Sequence, residues 1–488
     1  MNPKLIVLFI APTLLGWLFL KQCLSQSNLP LKKLFSLVFA PVMGLAVISL
    51  AVFIITAAVP EQARLLAVLT PWVLSIVFLS LLVSKHQQTD LKTNPQKSLF
   101  SLLVVSGPLT FGQITRIAVN GLLVIALILT FVNFTHHLMS YMTWNAFGGW
   151  DARYFWHLKA RMYVRDPEQW RLLFSEYFRW GNNDYPLMVP GIIAWGWHFL
   201  GREALIWPAI VSYLFTYSLG ALIIWHLSLW RSWSSAAVAG IFFFTLPVYL
   251  FWGGTMYCDI PYAFFSNGSL LLLLSALRLN DRRLLTLSAF FAGCSAFTKN
   301  EGLLFIIWYL IITVPVLLHE HRHSRADLLR SFTAVIQGLF IPACLCLYFK
   351  IALTGGQNNL VSKRNPADIL QALTDWPRNR VILEGFRVYM ADAGNWNGLW
   401  LLLGAAALYW PLSKKQAPLP YSWILLLAVL LINLGYALIF TITPHNIYKH
   451  ITTALLRLLL QTGVLALVFI VETFGFSKKS EPTLSAHS

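Results

Sequence analysis

Long apolar runs alternate with short polar links along the whole chain. A helix that crosses a bilayer needs about twenty mostly apolar residues, and about thirteen runs approach that length. They lie near residues 5–20, 37–58, 65–83, 117–134, 204–226, 234–252, 262–278, 284–298, 302–318, 331–350, 399–411, 421–441 and 453–474. Backbone polar groups inside a bilayer must be paired within their own segment, which favours helices. The pattern therefore predicts an all-α polytopic integral membrane protein with about thirteen transmembrane helices.

The polar links predict a single topology, because cytoplasmic loops carry an excess of lysine and arginine. One alternation of the helices places every strongly basic link inside. Those links contain Lys21, Lys32, Lys33, Lys85, Lys92, Lys97, Arg231, Arg278, Arg282, Arg283, Arg322, Arg325, Arg330, Lys414, Lys415, Lys478 and Lys479. The same alternation places two large segments, 135–203 and 351–398, on the outer face.

Within the first outer segment, residues 185–201 are apolar but contain Pro186 and Pro190 and are too short for a full span. We therefore expect residues 185–201 to form an interfacial or re-entrant helix. The organisation we expect is an N-terminal transmembrane part (1–116), a transmembrane core (117–476) and a cytoplasmic tail (477–488).

Composition supports the membrane assignment. Of the 488 residues, 57% are hydrophobic and 11% charged, whereas soluble domains carry about 25% charged residues. The net charge of +17 does not predict a nucleic-acid partner, because the cations lie between apolar runs, where the positive-inside bias and lipid headgroups account for them. The five cysteines show no ligand spacing, which argues against a disulfide framework or a zinc site.

The most polar stretch of the first outer segment begins at Trp150-Asp151-Ala152-Arg153 and continues through Lys159 and Arg161. Aromatic side chains favour the headgroup level, and cations there meet lipid phosphates. The stretch is therefore either an anchoring loop with a salt-bridged aspartate or part of a site in which Asp151 is a base, ionised beside cations.

Two further polar positions fall at the outer ends of predicted helices. Asp259 lies at a helix start, where an aspartate is either a cap or a functional acid. Lys299 and Glu301 lie in a tight link between two apolar runs, and ionisable residues at membrane depth usually face each other or a cavity. The link is thus either a structural ion pair or part of a substrate site.

Near the end of the chain, His445 and His450 precede Arg457 in the last apolar run. Seven residues are about two helical turns, so His450 and Arg457 share a face. An arginine at this depth either binds a lipid phosphate bidentately or snorkels to the headgroups. Because no phosphate loop, catalytic triad, zinc motif or nucleotide-binding fingerprint occurs, we expect any activated donor to be borne by lipid.

These motifs, in this order, resemble those of the membrane-embedded GT-C glycosyltransferases, and are most similar to family-39-like members. That group includes dolichyl-phosphate-mannose protein mannosyltransferases and bacterial lipid A aminoarabinose transferases. The segments that carry the resemblance are WDARYFWHLKAR (150–161), YPLMVPGIIAW (185–195), the outer Asp259, AFTKNEGLLF (296–305) and TPHNIYKHITTALLRLLLQ (443–461). They extend over about residues 135–461.

The resemblance implies a GT-C-like core with interfacial helices in its outer loop, catalytic Asp151 and a second acid, Asp259. It further implies a substrate- or lipid-phosphate-binding set, namely Arg153, Lys159, Arg161, Tyr185, Lys299, Glu301, His445, His450 and Arg457. The chain departs from the family pattern by placing about three helices before the one that leads to Asp151, so residues 1–116 are expected to be accessory. No acidic neighbour adjoins Asp151, so neither a divalent metal nor another cofactor is expected.

The resemblance implies an inverting transfer of a sugar from a polyprenyl-phosphate donor to a hydroxyl acceptor. The acceptor would be a glycolipid, a polysaccharide or a protein, and the site would lie on the periplasmic or extracellular face of a bacterial inner membrane. Two alternatives stay open. One is a transporter or flippase of a lipid-linked or anionic solute. The other is an O-antigen ligase or polymerase type of transferase that uses a lipid diphosphate, favoured by the cationic segment 351–398.

Overall fold

The regular structure of the described chain is helical throughout. The computed structural model describes residues 3–86, 111–356, 365–412 and 419–475. Its helices are α1 (Pro3–Cys23), α2 (Lys32–Ala58), α3 (Ala63–His86), α4 (Phe111–Trp144), α5 (His157–Arg165), α6 (Met188–Leu200), α7 (Ile206–Trp230), α8 (Trp233–Thr245), α9 (Pro247–Gly254), α10 (Asp259–Leu279), α11 (Arg282–Thr298), α12 (Glu301–Glu320), α13 (Arg325–Tyr348), α14 (Pro366–Thr374), α15 (Trp376–Ala391), α16 (Ala393–Trp396), α17 (Leu399–Tyr409), α18 (Trp423–Ile442) and α19 (Ile447–Phe474). The all-α prediction is confirmed.

Ten of the described helices are long and apolar enough to cross a membrane. They are α1–α4, α7, α10, α12, α13, α18 and α19. An eleventh span is possible if α8 and α9, bent by 60° at their junction, count as one broken helix. The other two predicted spans correspond to α11, which has 17 residues, and α17, which has 11. The polytopic membrane class is thus confirmed, whereas the number thirteen stays a prediction.

The break between α8 and α9 follows from Pro247. Proline lacks a backbone N–H and disfavours helical geometry in the residue before it. Leu246 accordingly adopts extended angles, and Pro247 occupies the first turn of the new helix, where no donor is needed. α9 ends at Gly254, five residues before Asp259 at the start of α10.

The helices differ sharply in how much of their surface other helices cover. α10 is almost completely buried, because α7, α11, α12 and α19 pack around it. α4 exposes most of its apolar surface, including Leu122, Ile125 and Leu129. An apolar helix surface that protein does not cover suits the hydrocarbon of a bilayer.

Helix α6 corresponds to the predicted interfacial helix, but its surface is covered by protein. Trp195 and Trp197 are fully buried, and α6 packs against α2, α3, α5 and α7. A Cβ atom on Gly196 would lie 2.0 Å from the Trp207 ring, so this glycine sets the close approach of α6 to α7. The apolar sequence of α6 therefore reflects burial among helices. Through α2, the N-terminal part shares this core.

The links predicted to be cytoplasmic meet at one end of the helix bundle. Ser27 Oγ donates to Asp281 Oδ2 at 2.6 Å, which joins the α1–α2 link to the α10–α11 link. Arg282 Nη2 lies 2.5 Å from Asp327 Oδ1, which joins the latter to the start of α13. Of the basic residues used for the topology, Lys92, Lys97, Lys414, Lys415, Lys478 and Lys479 lie outside the described residues.

A buried ion cluster closes the same end. Arg278 donates to both carboxylate oxygens of Glu472 at 2.8 Å, and His226 Nε2 lies 2.9 Å from Glu472 Oε1. Ser422 also donates to Glu472. These contacts join α7, α10, α18 and α19, and they leave the opposite end of the bundle for the predicted site residues.

Candidate functional site

Five ionisable side chains from four distant segments form one connected cluster. Arg457 donates to the carboxylate of Asp151, and its Nη1 atom lies 3.8 Å from Asp259 Oδ2. Lys299 Nζ lies 2.9 Å from Asp259 Oδ1 and 2.8 Å from Glu301 Oε1. The structure therefore brings together the predicted acids and the predicted cations of α19 and the 299–301 link.

Asp259 does not serve as the cap of α10. It is the first helical residue, after Cys258, and its Oδ1 atom accepts from Lys299 and from Gln461 Nε2 at 2.9 Å. Tyr436 in turn donates to Gln461 Oε1 at 2.5 Å. Because a buried charge must be paired and hydrogen-bonded, these partners explain how a carboxylate persists at this depth.

Gln461 was missed by the sequence reasoning, although a signal for it exists. It is the fourth residue after Arg457 in α19, and residues four apart lie on one face of a helix. Within the apolar run, Arg457 and Gln461 thus mark a single polar stripe that faces Asp259.

Two adjacent glycines allow the Asp151 segment to approach the start of α10. Gly148 has φ +73°, and Gly149 N donates to Thr255 O at 2.9 Å. A Cβ atom on Gly149 would lie 2.6 Å from the Tyr257 ring, and one on Gly148 would lie 2.8 Å from Thr255 O. The Gly-Gly pair in the sequence was the available signal for this approach, which sets Asp151 beside Arg457.

The link with Lys299 and Glu301 is held against the end of α11. A Cβ atom on Gly302 would lie 2.2 Å from Ser295 O, so only glycine fits where α12 begins. Burial lowers the pKa of Lys299, but the charges of Asp259 and Glu301 outweigh it, and the net pKa is raised. Lys299 is therefore a cation that two carboxylates hold in place.

A second polar network holds the same link from the other side. Asn300 Nδ2 donates to Asp184 Oδ2 at 2.9 Å, and Asn300 Oδ1 accepts from Lys350 Nζ at 2.5 Å. Lys350 also donates to the backbone carbonyl of Asp184. Both polar ends of the Asn300 side chain are thus occupied. The sequence reasoning assigned no role to Asn300, Asp184 or Lys350, because their pairing joins residues far apart in the chain.

Lys159 and Tyr185 belong to the wall beside this network. Lys159 is buried and donates to the backbone carbonyls of Asn182 at 2.7 Å and Tyr185 at 3.0 Å. Burial lowers its pKa to about 7, against the opposing charge of Asp184. Burial also raises the pKa of the Tyr185 hydroxyl, and the charge of Glu301 raises it further. Lys159 thus fixes the 182–185 loop.

Arg153 and Arg161 are not brought into the cluster. Arg153 Nε donates to Gly148 O at 2.9 Å, within its own loop. Arg161 Nε lies 3.2 Å from Glu203 Oε2, and Arg165 binds the same carboxylate at 2.5 Å. The hydrogen bond from Arg165 is the main reason that the pKa of Glu203 is lowered. Arg153 and Arg161 therefore stabilise the loop around Asp151. Their contact with substrate stays a prediction.

His445 and His450 lie at the N-terminal end of α19, and neither has a direct contact with Asp151 or Arg457 among the described contacts. Their ring centroids are 5.5 Å apart, and the His450 ring lies 4.9 Å from that of Phe440. His445 is exposed. Their predicted contact with a lipid phosphate stays a prediction.

Exposure divides the cluster into a rim and a floor. The side chains of Asp151, Arg457 and Glu301 keep 20%, 17% and 11% of their surface exposed, whereas Lys299 keeps 6% and Asp259 2%. The first three are partly exposed and form the rim, and the last two are buried beneath them as the floor.

The groups around the Arg457 guanidinium favour the binding of an anion. Its guanidinium lies 5.5 Å from the Trp252 ring centroid and 5.3 Å from that of Tyr257, and its Nε donates to Thr453 O at 3.2 Å. Aromatic faces hold a guanidinium in place while leaving its edge free to bind oxygen atoms. Among the described contacts, its Nη2 donates no hydrogen bond, so the group retains capacity for a phosphate.

Across residues 3–86, 111–356, 365–412 and 419–475, no three His, Cys, Asp or Glu side chains are close enough to hold a metal ion. The sequence matches no protein-family model and no curated protein, and the structure matches no solved structure. The resemblance to GT-C glycosyltransferases thus stays a prediction, and the site itself is the basis for assigning a function.

Proposed function

We propose that this protein transfers a sugar from a polyprenyl-phosphate donor to a hydroxyl acceptor at the outer face of a membrane. One observation carries the proposal: a carboxylate at the rim, Asp151, is bound to an arginine, Arg457, at the end of a transmembrane helix bundle. A base and a phosphate-binding cation in direct contact are what such a displacement needs. GT-C-like transferases are the class that combines these features with a polytopic membrane fold.

In the proposed reaction, the acceptor hydroxyl attacks the anomeric carbon of the donor sugar. Asp151 takes the hydroxyl proton as the new C–O bond forms, while the bond between the anomeric carbon and the phosphate oxygen breaks. The bonding electrons leave with the phosphate. A single displacement of this kind inverts the anomeric centre, and general-base help contributes about 10²–10⁴-fold in rate.

Arg457 stabilises the departing phosphate. Its ion pair with Asp151 exchanges, in part, for the phosphate oxygens when the donor binds, which also releases the carboxylate to act as a base. Lys299 lies between Asp259 and Glu301 and offsets part of their negative charge, which reduces their repulsion of the anion. Preorganised cations of this type act strongly where water is excluded.

The two alternative functions, a transporter and a transferase that uses a lipid diphosphate, require different arrangements of ionisable residues. A transporter places ionisable groups along a path through the membrane, whereas this cluster lies at one end of the bundle. A transferase that uses a lipid diphosphate needs more cations, which segment 351–398 would have to supply. Within its described part, Arg378 is bound to the backbone carbonyls of Phe440 and Thr443, and Arg387 to Glu384. Lys363 and Arg364 lie outside the described residues. The monophosphate donor is therefore the proposal.

The test is transfer by the purified protein in liposomes. The donors are undecaprenyl-phosphate hexoses and the corresponding diphosphates, and the acceptors are envelope glycolipids and glycoproteins from cells that lack the gene. Mass spectrometry is expected to show one added sugar with a monophosphate donor. Transfer from the diphosphate alone supports the ligase-type alternative. Movement of either lipid between leaflets without any added sugar mass supports a flippase.

A further inference from the structure

Each carboxylate of the site has at least one oxygen paired with a cation. Asp151 accepts from Arg457, and Asp259 lies between Arg457 and Lys299. Glu301 Oε1 lies 2.8 Å from Lys299 Nζ. Within the described part of the chain, Glu301 Oε2 is buried and has no hydrogen-bond partner. It is a charged acceptor left over in the cluster.

An unpaired buried carboxylate oxygen is costly, so a ligand that brings a donor to it gains more than at a satisfied group. A phosphate cannot be that ligand, because its oxygens are acceptors of the same charge. Of the two predicted roles of Glu301, contact with substrate and contact with a lipid phosphate, this chemistry favours the first. Oε2 needs a hydrogen-bond donor, which a sugar hydroxyl supplies.

The position of Glu301 makes this oxygen suitable for a substrate. The side chain belongs to the rim with Asp151 and Arg457 and keeps 11% of its surface exposed, while Oε2 itself is buried beside them. The neighbouring Asn300 is fixed on both sides by Asp184 and Lys350. The carboxylate is thus presented from a rigid support, which is a requirement for specific recognition.

We propose that Glu301 Oε2 accepts a hydrogen bond from a hydroxyl of the sugar carried by the donor lipid, while the phosphate of that lipid binds toward Arg457. This inference rests on the proposed function and adds the orientation of the donor. It also makes Glu301 the residue that distinguishes a sugar-bearing lipid phosphate from a bare one.

The experiment is equilibrium binding to the full-length protein in nanodiscs. The two probes are undecaprenyl phosphate and undecaprenyl-phosphate glucose, and each is measured with the wild type and with Glu301→Gln. Gln keeps the shape and one carbonyl oxygen for Lys299 but replaces the second acceptor by a donor. We expect the wild type to prefer the sugar-bearing lipid by about tenfold or more, since hydrogen bonds to charged groups are the stronger class. The variant should lose that preference while binding the bare lipid as the wild type does.

Two further variants keep the result interpretable. Glu384→Gln, the same substitution at an exposed glutamate of α15 that pairs with Arg387, is the matched control and should change neither affinity. Glu301→Asp keeps the charge beside Lys299 and withdraws the oxygens by one carbon. It replaces Glu301→Gln if the latter does not fold, and it should also weaken the preference for the sugar-bearing lipid.

Equal weakening of both lipids by Glu301→Gln or Glu301→Asp would overturn the inference and leave the proposed function intact, because Glu301 would then act through Lys299 and the phosphate. An unchanged preference would overturn it as well, and would assign Oε2 to a bound water only. A wild-type protein that binds neither lipid would overturn the proposed function, and the inference with it.

Discussion

Arg457 in α19 donates a hydrogen bond to the carboxylate of Asp151, 306 positions earlier in the chain. The contact joins the last membrane helix to the loop after α4, and through Asp259 it reaches the floor of the site. A single guanidinium thereby orients the proposed base and neutralises the buried acid.

Arg457 is expected to matter more for turnover than for folding, because Asp259 retains Lys299 and Gln461 as partners when the guanidinium is removed. Arg457→Gln should lower kcat of sugar transfer by about 10²–10³-fold, the usual loss when one preorganised donor is removed. Arg457→Lys should retain part of the activity. Steady-state kinetics on both variants check this, and a kcat within twofold of wild type for Arg457→Gln would rule out the role.

Lys299 is expected to matter for stability. Lys299→Met leaves Asp259 and Glu301 without their shared cation, and breaking a buried pair by removing one partner costs about 3–5 kcal/mol. The free energy of unfolding of the detergent-solubilised protein should decrease by this amount. The double variant Lys299→Met/Asp259→Asn should recover part of the loss, since it removes the uncompensated buried charge. No recovery would show that Asp259 is not the main partner.

Gly302 is expected to tolerate no side chain. A Cβ atom there would lie 2.2 Å from Ser295 O, so Gly302→Ala should push the 299–301 link away and cost about 1–3 kcal/mol. Gly404→Ala in α17 is the matched control, because nothing lies within 4 Å of its Cβ position. The control should be neutral or slightly stabilising in thermal unfolding, as glycine is a poor helix former. Equal effects would contradict the close approach.

His157 is expected to make the fold sensitive to acid. Burial lowers its pKa to about 3, with help from the charges of Arg161 and Arg153, whereas the unfolded chain has the ordinary value near 6.5. As the pH falls below 6.5, the unfolded chain takes up a proton that the folded protein cannot bind, so stability decreases toward pH 3. His157→Phe should therefore lose less stability than wild type between pH 7.5 and pH 5. Parallel curves for the two proteins would contradict this.

The sequence predicted the membrane class, and it singled out the acids and cations that the structure brings together, for a physical reason. Asp259, Lys299 and Arg457 lie at the ends of apolar runs or within them, where a charge is costly and must have a partner or a function. The spacing of His450 and Arg457 also predicted that these two residues share one face of α19. Of the two, only Arg457 contacts the cluster.

The sequence could not show which distant residues pair. Asp184 and Lys350 both bind Asn300, and nothing in their local sequence indicates it. The pairing of Arg161 with Glu203 could not be predicted, because the two residues lie 42 positions apart. The burial of α6 could not be predicted either, because a helix buried among other helices and one that faces lipid are equally apolar. Which side chains pair, and which helix surfaces other helices cover, depend on the tertiary structure and not on the local sequence.

The most direct test of the proposed chemistry is the rate of sugar transfer by Asp151→Asn, which keeps the shape of the side chain but cannot accept the proton. Asp166→Asn, in the same outer loop, is the matched control and should transfer at the wild-type rate. We predict that Asp151→Asn loses about 10²–10⁴-fold in kcat while still binding undecaprenyl-phosphate glucose. Transfer by purified Asp151→Asn at the wild-type rate would contradict the assignment of Asp151 as the base.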